Sequence, residues 1–184
     1  WEELTRQYRA FQARGLTLDM SRGKPAPEQL ALAAPILAGA EMDYTCEDGS
    51  DARNYNHPLG IPEARRLFGE MLGVAPEQVI VGGNSSLNLL SDVFTRCMLL
   101  GPLPGDTPWA RLPEVKFICP APGYDWHFHM LEGYGVKLLP VPILSDGPDM
   151  DRVEALARDP AVKGLICVPM YGNPSGVTFS DEVV

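Results

Sequence analysis

The segment Gly82–Ser86 combines residue types that bind anions. Its two glycines let the backbone turn sharply and approach a ligand, and its Asn and Ser side chains are short hydrogen-bond donors. A helical pattern follows, and the N-terminus of a helix offers unpaired N–H groups and a positive dipole end. The segment predicts a cradle for an anion, best matched by a phosphate monoester. The alternative is an ordinary turn with Ser or Asn as a helix cap.

Two further segments carry side chains suited to a flat ligand. Tyr124 follows Pro122 and Gly123 just past a predicted strand, where its ring can stack on a planar group or pack within the protein. Asn173 precedes Pro174, which confines it to extended or turn conformations and fixes the direction of its amide. The alternative for Asn173 is a turn built from good turn residues. Taken together, the three segments suit a flat, phosphorylated heteroaromatic cofactor.

Metal binding and nucleophilic catalysis have weaker support in the sequence. His127 and His129 form a His-x-His pair that diverges on a helix and has no third ligand nearby. Ser85 would be a hydrolase nucleophile only in a Gly-x-Ser-x-Gly turn, and Leu87 stands where the second glycine is needed. The cysteines form no CxxC pair, so we predict free thiols and no metal site. They are Cys46, Cys97, Cys119 and Cys167.

A repeating strand–loop–helix pattern positions these segments. Hydrophobic periodicity predicts helices over residues 1–15, 28–39, 62–72, 87–100, 125–132 and 149–158, with Pro35 interrupting the second. Short apolar or alternating runs predict strands over residues 16–20, 78–81, 115–119, 136–141 and 164–168. This alternation favours an α/β domain with a mostly parallel sheet sandwiched by helices. Ligands of such sheets bind at the carboxyl ends of the strands, where the three segments lie.

Composition excludes several classes of protein. The chain has 184 residues, 45% of them hydrophobic, which rules out a disordered chain, a coiled coil and a collagen-like fibre. Its net charge of −9 argues against a nucleic-acid partner. No apolar stretch approaches the roughly 20 residues that cross a bilayer, so we expect no membrane association. Free thiols in an acidic chain of this kind favour a cytoplasmic protein.

The sequence resembles the class I aminotransferases that use pyridoxal 5′-phosphate, and it is most similar to an aspartate-aminotransferase-like branch related to the MocR-type proteins. The resemblance covers the chain from Leu18 onward and implies the aspartate-aminotransferase-like fold of pyridoxal-phosphate-dependent transferases. It rests on five motifs in the family's order. They are Ser-Arg-Gly-Lys-Pro at 21–25, Tyr-Asn-His-Pro-Leu-Gly at 55–60, Gly-Gly-Asn-Ser-Ser-Leu at 82–87, Pro-Gly-Tyr at 122–124 and Gly-Asn-Pro-Ser-Gly at 172–176.

The resemblance implies how this chain would hold the cofactor. Gly83, Asn84 and Ser85 would bind the phosphate of pyridoxal phosphate. Tyr124 would stack on its pyridine ring, and Asn173 would donate a hydrogen bond to its phenolic oxygen.

It also implies a homodimer that acts on an amino acid and a 2-oxo acid. Tyr55 would reach the cofactor phosphate of the neighbouring subunit, and Gly23 would lie near the substrate carboxylate. Residues 1–45 would contribute to a small domain, and residues 46–184 would form the first part of a large cofactor-binding domain.

The family's chemistry needs a lysine that forms an imine with the cofactor, an acid on the pyridine nitrogen and an arginine for the substrate carboxylate. None of the lysines here has the expected context, so we assign no catalytic residue and expect the imine-forming lysine after Val184. The segment is interpreted as the N-terminal part of a longer enzyme. Two alternatives stay open, namely the ligand-sensing domain of a MocR-type transcription regulator and a lyase on the same fold. The lysines are Lys24, Lys116, Lys137 and Lys163.

Overall fold

A computed structural model describes residues 1–17, 23, 25–38 and 43–184. The N-terminal helices are α1 (Glu2–Ala13), α2 (Pro27–Ala31), α3 (Ala34–Leu37) and α4 (Pro62–Leu72). Then follow α5 (Ser86–Leu100), β1 (Lys116–Ala121), α6 (Asp125–Gly133), β2 (Lys137–Pro142), α7 (Met150–Ala157) and β3 (Val162–Leu165). Short 3₁₀ helices cover Pro76–Gln78 and Trp109–Arg111.

Local sequence explains where several helices begin and end. Helix α4 starts with Pro62 in its first turn and ends at Gly73, whose φ of +69° is in the left-handed region that favours glycine. The side chain of Asp149 caps α7 by accepting a hydrogen bond from the Arg152 N–H at 3.1 Å. These bounds match the predicted helices over 62–72 and 149–158 to within one residue at each end.

The sheet is parallel, with β1 between β2 and β3. Ile118 of β1 is paired with Leu139 of β2 on one side and with Leu165 of β3 on the other. Residues 117–120 of β1 are all buried, and since successive side chains of a strand point to opposite sides, the strand is buried on both faces. The α/β architecture predicted from the alternating pattern is therefore confirmed, and the loops after β1 and β3 start at the same edge of the sheet.

Two clusters of buried side chains hold helices against the faces of β1. One cluster joins α5 and α6 to the face that carries Phe117 and Cys119, and the other joins α7 to the face that carries Ile118. In the first cluster, the Phe94 ring lies 5.1 Å from the Phe117 ring, centroid to centroid. The sheet is thus covered by helices on both sides, as an α/β sandwich requires.

The structure corrects several predicted elements. Residues 79–81 form no strand, because Val81 N–H bonds only to Leu59 O, at 2.9 Å, and no ladder forms beside them in the described ranges. Strand β3 starts two residues earlier than predicted and ends at Leu165, where its pairing with β1 stops. The helix predicted over 28–39 is interrupted, as expected, and forms α2 and α3, but the break comes before Pro35, which lies in the first turn of α3. Of the predicted strand over 16–20, residues 16 and 17 are irregular and the rest lie outside the described residues.

The cysteines form no disulfide, in agreement with the prediction of free thiols. In the part of the chain that the structure describes, every helix is too short or too polar to cross a membrane.

The packing of α6 on the sheet can be tested at Leu131, whose side chain is fully buried in the first cluster. Replacing Leu131 with alanine should lower the free energy of unfolding by about 2–5 kcal/mol, because it leaves a cavity between α6 and β1. Leu144→Ala is the matched control, since Leu144 is 52% exposed and should change stability by less than about 1 kcal/mol. Urea unfolding measures both, and equal losses would contradict this packing of α6.

Candidate functional site

Tyr124 lies where the chain leaves β1 and enters α6. The connecting turn has no room for a side chain at Gly123, because a Cβ there would lie 2.7 Å from the Pro120 carbonyl oxygen and 2.7 Å from Phe128. Tyr124 is half-buried, and its ring meets the His127 ring edge to face, with 4.9 Å between centroids. The close turn at Gly123 and the contact with His127 therefore fix the direction of the tyrosine ring.

Asn173 lies at the tip of a closed loop that follows β3. Phe179 N–H bonds to Pro169 O at 2.8 Å, and Gly172 N–H bonds to Val177 O at 2.9 Å, which draws the two sides of the loop together. Tyr171 N–H also donates to the Thr178 hydroxyl at 3.1 Å. Asn173 itself is exposed, and its peptide bond to Pro174 is cis. The loop thus presents the Asn173 amide to solvent from a hydrogen-bonded base.

An open cleft of about 850 Å³ brings three of the predicted site residues together. Gly23, Tyr124 and Asn173 all line it, although they come from widely separated parts of the sequence. Asp125 and Trp126 line it too, and the Trp126 side chain is 59% exposed. The cleft therefore has aromatic surfaces, an amide and a carboxylate on its walls, which is a chemistry suited to a flat polar ligand.

A smaller apolar pocket of about 20 Å³ shares Tyr124 and Asn173 with the cleft. His127 and Cys167 also line it. Burial lowers the pKa of His127 below its ordinary value and raises the pKa of the Cys167 thiol. Both shifts favour the uncharged forms of the imidazole and the thiol.

Gly83, Asn84 and Ser85 precede the first turn of α5, and they do not line the cleft. The Ser85 hydroxyl caps α5 by accepting a hydrogen bond from the Asn88 N–H at 3.3 Å. Gly83 and Asn84 are exposed, and the space where a Cβ of Gly83 would point is open. The segment thus has an accessible helix N-terminus, as an anion cradle requires, while its Ser85 hydroxyl already serves as the helix cap.

Trp126 links the cleft to α5. It also lines a hollow of about 300 Å³ whose other walls include Leu87 and Ser91 of α5. Neither Trp126 nor Asp125 was predicted from the sequence as a site residue. Their position directly after Tyr124, in the first turn of a predicted helix at a strand end, was the signal that could have found them.

Tyr55 lies apart from the cleft and is 97% exposed. The Asp51 carboxylate accepts hydrogen bonds from the Arg53 guanidinium at 2.6 and 2.9 Å, and this interaction lowers the pKa of Asp51 to about 2. Arg53 also lies over the Tyr44 ring, 4.8 Å from its centroid. These contacts fix the loop before Tyr55, while the Tyr55 ring itself projects into solvent.

His127 and His129 lie on α6, and they diverge as the helical prediction requires. The His127 ring contacts Tyr124, whereas His129 lies near Trp126, with 6.3 Å between ring centroids, and near Glu132. Within the described residues, neither histidine belongs to a group of metal-ligating side chains.

Comparison with known proteins gives consistent matches. The profile of the family described as aspartate amino-transferase matches residues 1–184. A protein of Mycolicibacterium smegmatis named as an aminotransferase is 47% identical over 97% of this chain and 43% of its own length. The crystal structure of an aspartate transaminase from Corynebacterium glutamicum has a TM-score of 0.87 and 42% identity, and the match covers 99% of this chain and 43% of that chain.

A third match is more distant in sequence. LysN, an α-aminoadipate aminotransferase from Thermus thermophilus crystallised with N-(5′-phosphopyridoxyl)-L-leucine, has a TM-score of 0.57 and 26% identity. That match covers 88% of this chain and 38% of LysN. The chain thus spans less than half the length of each of these relatives.

The tight turn before Tyr124 can be tested with two glycine variants. Gly123→Ala should lower the free energy of unfolding by about 1–3 kcal/mol, because the new methyl group meets the Pro120 carbonyl and Phe128. Gly133→Ala, at the end of α6, has open space around it and should be neutral or stabilising by up to about 1 kcal/mol. Denaturant unfolding of both variants checks this, and a Gly123→Ala protein as stable as Gly133→Ala would be evidence against the close approach.

Proposed function

This chain belongs to the aspartate aminotransferase family, and on that premise we propose that the protein is a pyridoxal-phosphate-dependent aminotransferase. It moves an amino group between an amino acid, with aspartate as the first candidate, and a 2-oxo acid. The observation that carries the proposal is the convergence of Gly23, Tyr124 and Asn173 on one cleft. The regulator and lyase alternatives have less support, because the relatives described above are named as aminotransferases.

The residues of the cleft fit pyridoxal phosphate. Its volume of about 850 Å³ lies within the range of about 300–1,000 Å³ that is usual for ligand pockets. The half-buried Tyr124 ring offers a flat surface for the pyridine ring, and the exposed Asn173 amide offers a donor for an oxygen substituent. The open N-terminus of α5 lies outside the walls of the cleft, and we assign to it the N–H groups that a phosphate needs. When bound, the cofactor supplies an aldehyde that condenses with amines and a ring that accepts electrons.

The chain's own residues orient the cofactor and tune its environment. Tyr124, held by Gly123 and His127, would offer the flat face against which the pyridine ring packs. Asn173 donates its amide N–H to the phenolic oxygen and so favours the ionised form of that oxygen. The small apolar pocket that shares Tyr124 and Asn173 with the cleft is also lined by His127 and Cys167, and their pKa shifts favour the uncharged forms of both side chains.

Phosphate binding is assigned to the residues before α5. Gly83 and Asn84 bring exposed backbone N–H groups close to the positive end of a 15-residue helix, where an anion is stabilised by about 0.3–1 kcal/mol or more. Gly83 has no side chain to block the approach, and its surroundings are open. The Ser85 hydroxyl can donate its proton to a phosphate oxygen while its lone pair still accepts from Asn88 N–H. The helix cap and the phosphate contact are therefore compatible.

Other parts of the proposal concern the whole protein. We assign three further residues to the part of the relatives' length that this chain does not cover. They are the cofactor-binding lysine, the acid on the pyridine nitrogen and the arginine that binds the substrate carboxylate. Residues 1–45 are assigned to a small domain, with Gly23 near the substrate carboxylate, and residues 46–184 to the large domain. The free thiols are consistent with the cytoplasm, to which we assign the protein.

We assign the active form to a homodimer in which Tyr55 serves the neighbouring site. The support is the exposure of the Tyr55 ring, which is 97%, on a loop fixed by Asp51 and Arg53. An aromatic side chain held in solvent by a fixed loop is well placed for contact with a second subunit.

The proposal is tested by incubating the full-length protein with pyridoxal phosphate. We expect a visible absorption band that borohydride abolishes, and transfer of the amino group from aspartate to 2-oxoglutarate. Consumption of the amino acid without amination of 2-oxoglutarate would instead support the lyase alternative. The absence of a band would overturn the cofactor assignment.

The role of Asn173 predicts a specific kinetic effect. Asn173→Ala should lower kcat/KM about 10–150-fold, because a hydrogen bond to a charged oxygen contributes about 1.5–3 kcal/mol. The absorption maximum of the bound cofactor should also shift, since the phenolic oxygen is less easily ionised. Gln7→Ala, which removes an exposed amide on α1, should leave both unchanged. A normal spectrum in Asn173→Ala would contradict the assignment.

The role of Tyr55 predicts an effect on cofactor affinity. Tyr55→Phe should weaken pyridoxal phosphate binding about 10-fold or more, because a donor to the phosphate is lost. The oligomeric state, measured by analytical ultracentrifugation, should remain dimeric. Tyr8→Phe, at an exposed tyrosine of α1, is the matched control and should bind the cofactor normally. Unchanged affinity in Tyr55→Phe, or a monomeric wild-type protein, would count against the shared site.

A further inference from the structure

Away from the cleft, a tight turn brings three metal-ligating side chains together. Cys46, Asp48 and His57 each offer one ligand atom, and these atoms all lie within 4.8 Å of one another. Cys46 is buried, the His57 side chain is 18% exposed and the Asp48 side chain is 43% exposed. The group therefore has a buried end at the thiol and an open end at the carboxylate.

The geometry points to a divalent metal site of the zinc type, with Cys46 Sγ, Asp48 Oδ2 and His57 Nε2 as its protein ligands. Two ligands bonded at about 2.0–2.1 Å in a tetrahedron lie about 3.4 Å apart. The His57 Nε2 and Asp48 Oδ2 atoms lie 3.5 Å apart. These two atoms are thus already as far apart as two ligands of one metal ion. The exposed side of the group leaves a fourth coordination position for water.

The backbone of the turn holds two of the three ligands in place. Cys46 N–H bonds to Ser50 O, and Gly49 N–H bonds to Cys46 O, both at 2.8 Å. Glu47 anchors this turn to α4, because its N–H donates to Glu63 Oε1 at 2.6 Å and its carboxylate pairs with Arg66 at 2.6 Å. Such a closed turn fixes Cys46 and Asp48 before an ion binds. It therefore lowers the conformational entropy that is lost when the site is assembled.

Ser50 orients the carboxylate as an outer-shell partner of a metal does. Its N–H and its hydroxyl both bond to Asp48 Oδ1, at 3.0 and 2.6 Å, so that Oδ2 remains directed towards His57. The Ser50 hydroxyl also lies 2.6 Å from His57 Nε2, and an ion would replace this contact while the bonds to Oδ1 remain.

The ligand types select the class of metal. A thiolate, an imidazole and a carboxylate together suit Zn²⁺ and its neighbours among the transition metals, whereas Mg²⁺ and Ca²⁺ require oxygen ligands. A bound ion would join Cys46 to His57 and so brace the loop that carries Tyr55, which lies two residues before His57.

The test uses the full-length, untagged protein after treatment with a chelator and without pyridoxal phosphate. Titration with Co²⁺ should give one equivalent of binding with a thiolate-to-cobalt charge-transfer band, and Zn²⁺ should abolish that band. Cys46→Ser should lose the band, and His57→Gln and Asp48→Asn should weaken binding at least about 10-fold. Cys97→Ser and His129→Gln, which lie outside the group, should bind as the wild type does.

The result is decisive even if Cys46→Ser, at a buried position, fails to fold. Asp48→Asn alters an exposed side chain, and circular dichroism establishes that it is folded. A wild-type protein without the charge-transfer band, a band that persists in Cys46→Ser, or unchanged affinity in Asp48→Asn would overturn the proposal. Because the readout needs no cofactor, failure of the metal site and failure of the aminotransferase proposal are distinguishable.

Discussion

Strand β1 is the constraint on which the remaining structure depends. It is paired on both edges, with β2 and β3, and its side chains are buried on both faces by α5, α6 and α7. A strand in this position has little freedom to shift, because a slip of one residue would exchange its two buried faces. The loops that leave β1 and β3 therefore begin from fixed points at one edge of the sheet. Tyr124 and Asn173 meet at the cleft for this reason.

Much of this arrangement could be predicted from the sequence. Helix α4 and strands β1 and β2 follow from apolar periodicity, and the meeting of Tyr124 with Asn173 follows from parallel pairing. The strand predicted over 78–81 was wrong, because a strand forms only where two segments pair. The β-branched run supplies only one of them, and its extended backbone finds no ladder among the described residues. Trp126 was missed because no motif marks it, although its place directly after Tyr124, at the start of a predicted helix, was a signal for it.

The predicted roles of other residues depend on partners that one chain does not contain. Gly83, Asn84 and Ser85 have the expected helix N-terminus, yet their assignment to phosphate rests on the resemblance and on general helix electrostatics. Tyr55 is exposed, and its proposed contact requires a second subunit. The ligands of the proposed metal site, Cys46, Asp48 and His57, all lie within this chain, yet they were not predicted. Their spacing resembles no simple metal motif, and the sequence alone predicted no metal, because the turn that joins these residues is visible only in three dimensions.

The position of Trp126 also bears on how this protein can evolve. Its indole is a wall of both the cleft of about 850 Å³ and the neighbouring hollow of about 300 Å³. It belongs neither to the buried clusters on β1 nor to the turn that holds Tyr124. A change of this side chain therefore alters the walls of two spaces while the residues that hold the fold remain the same.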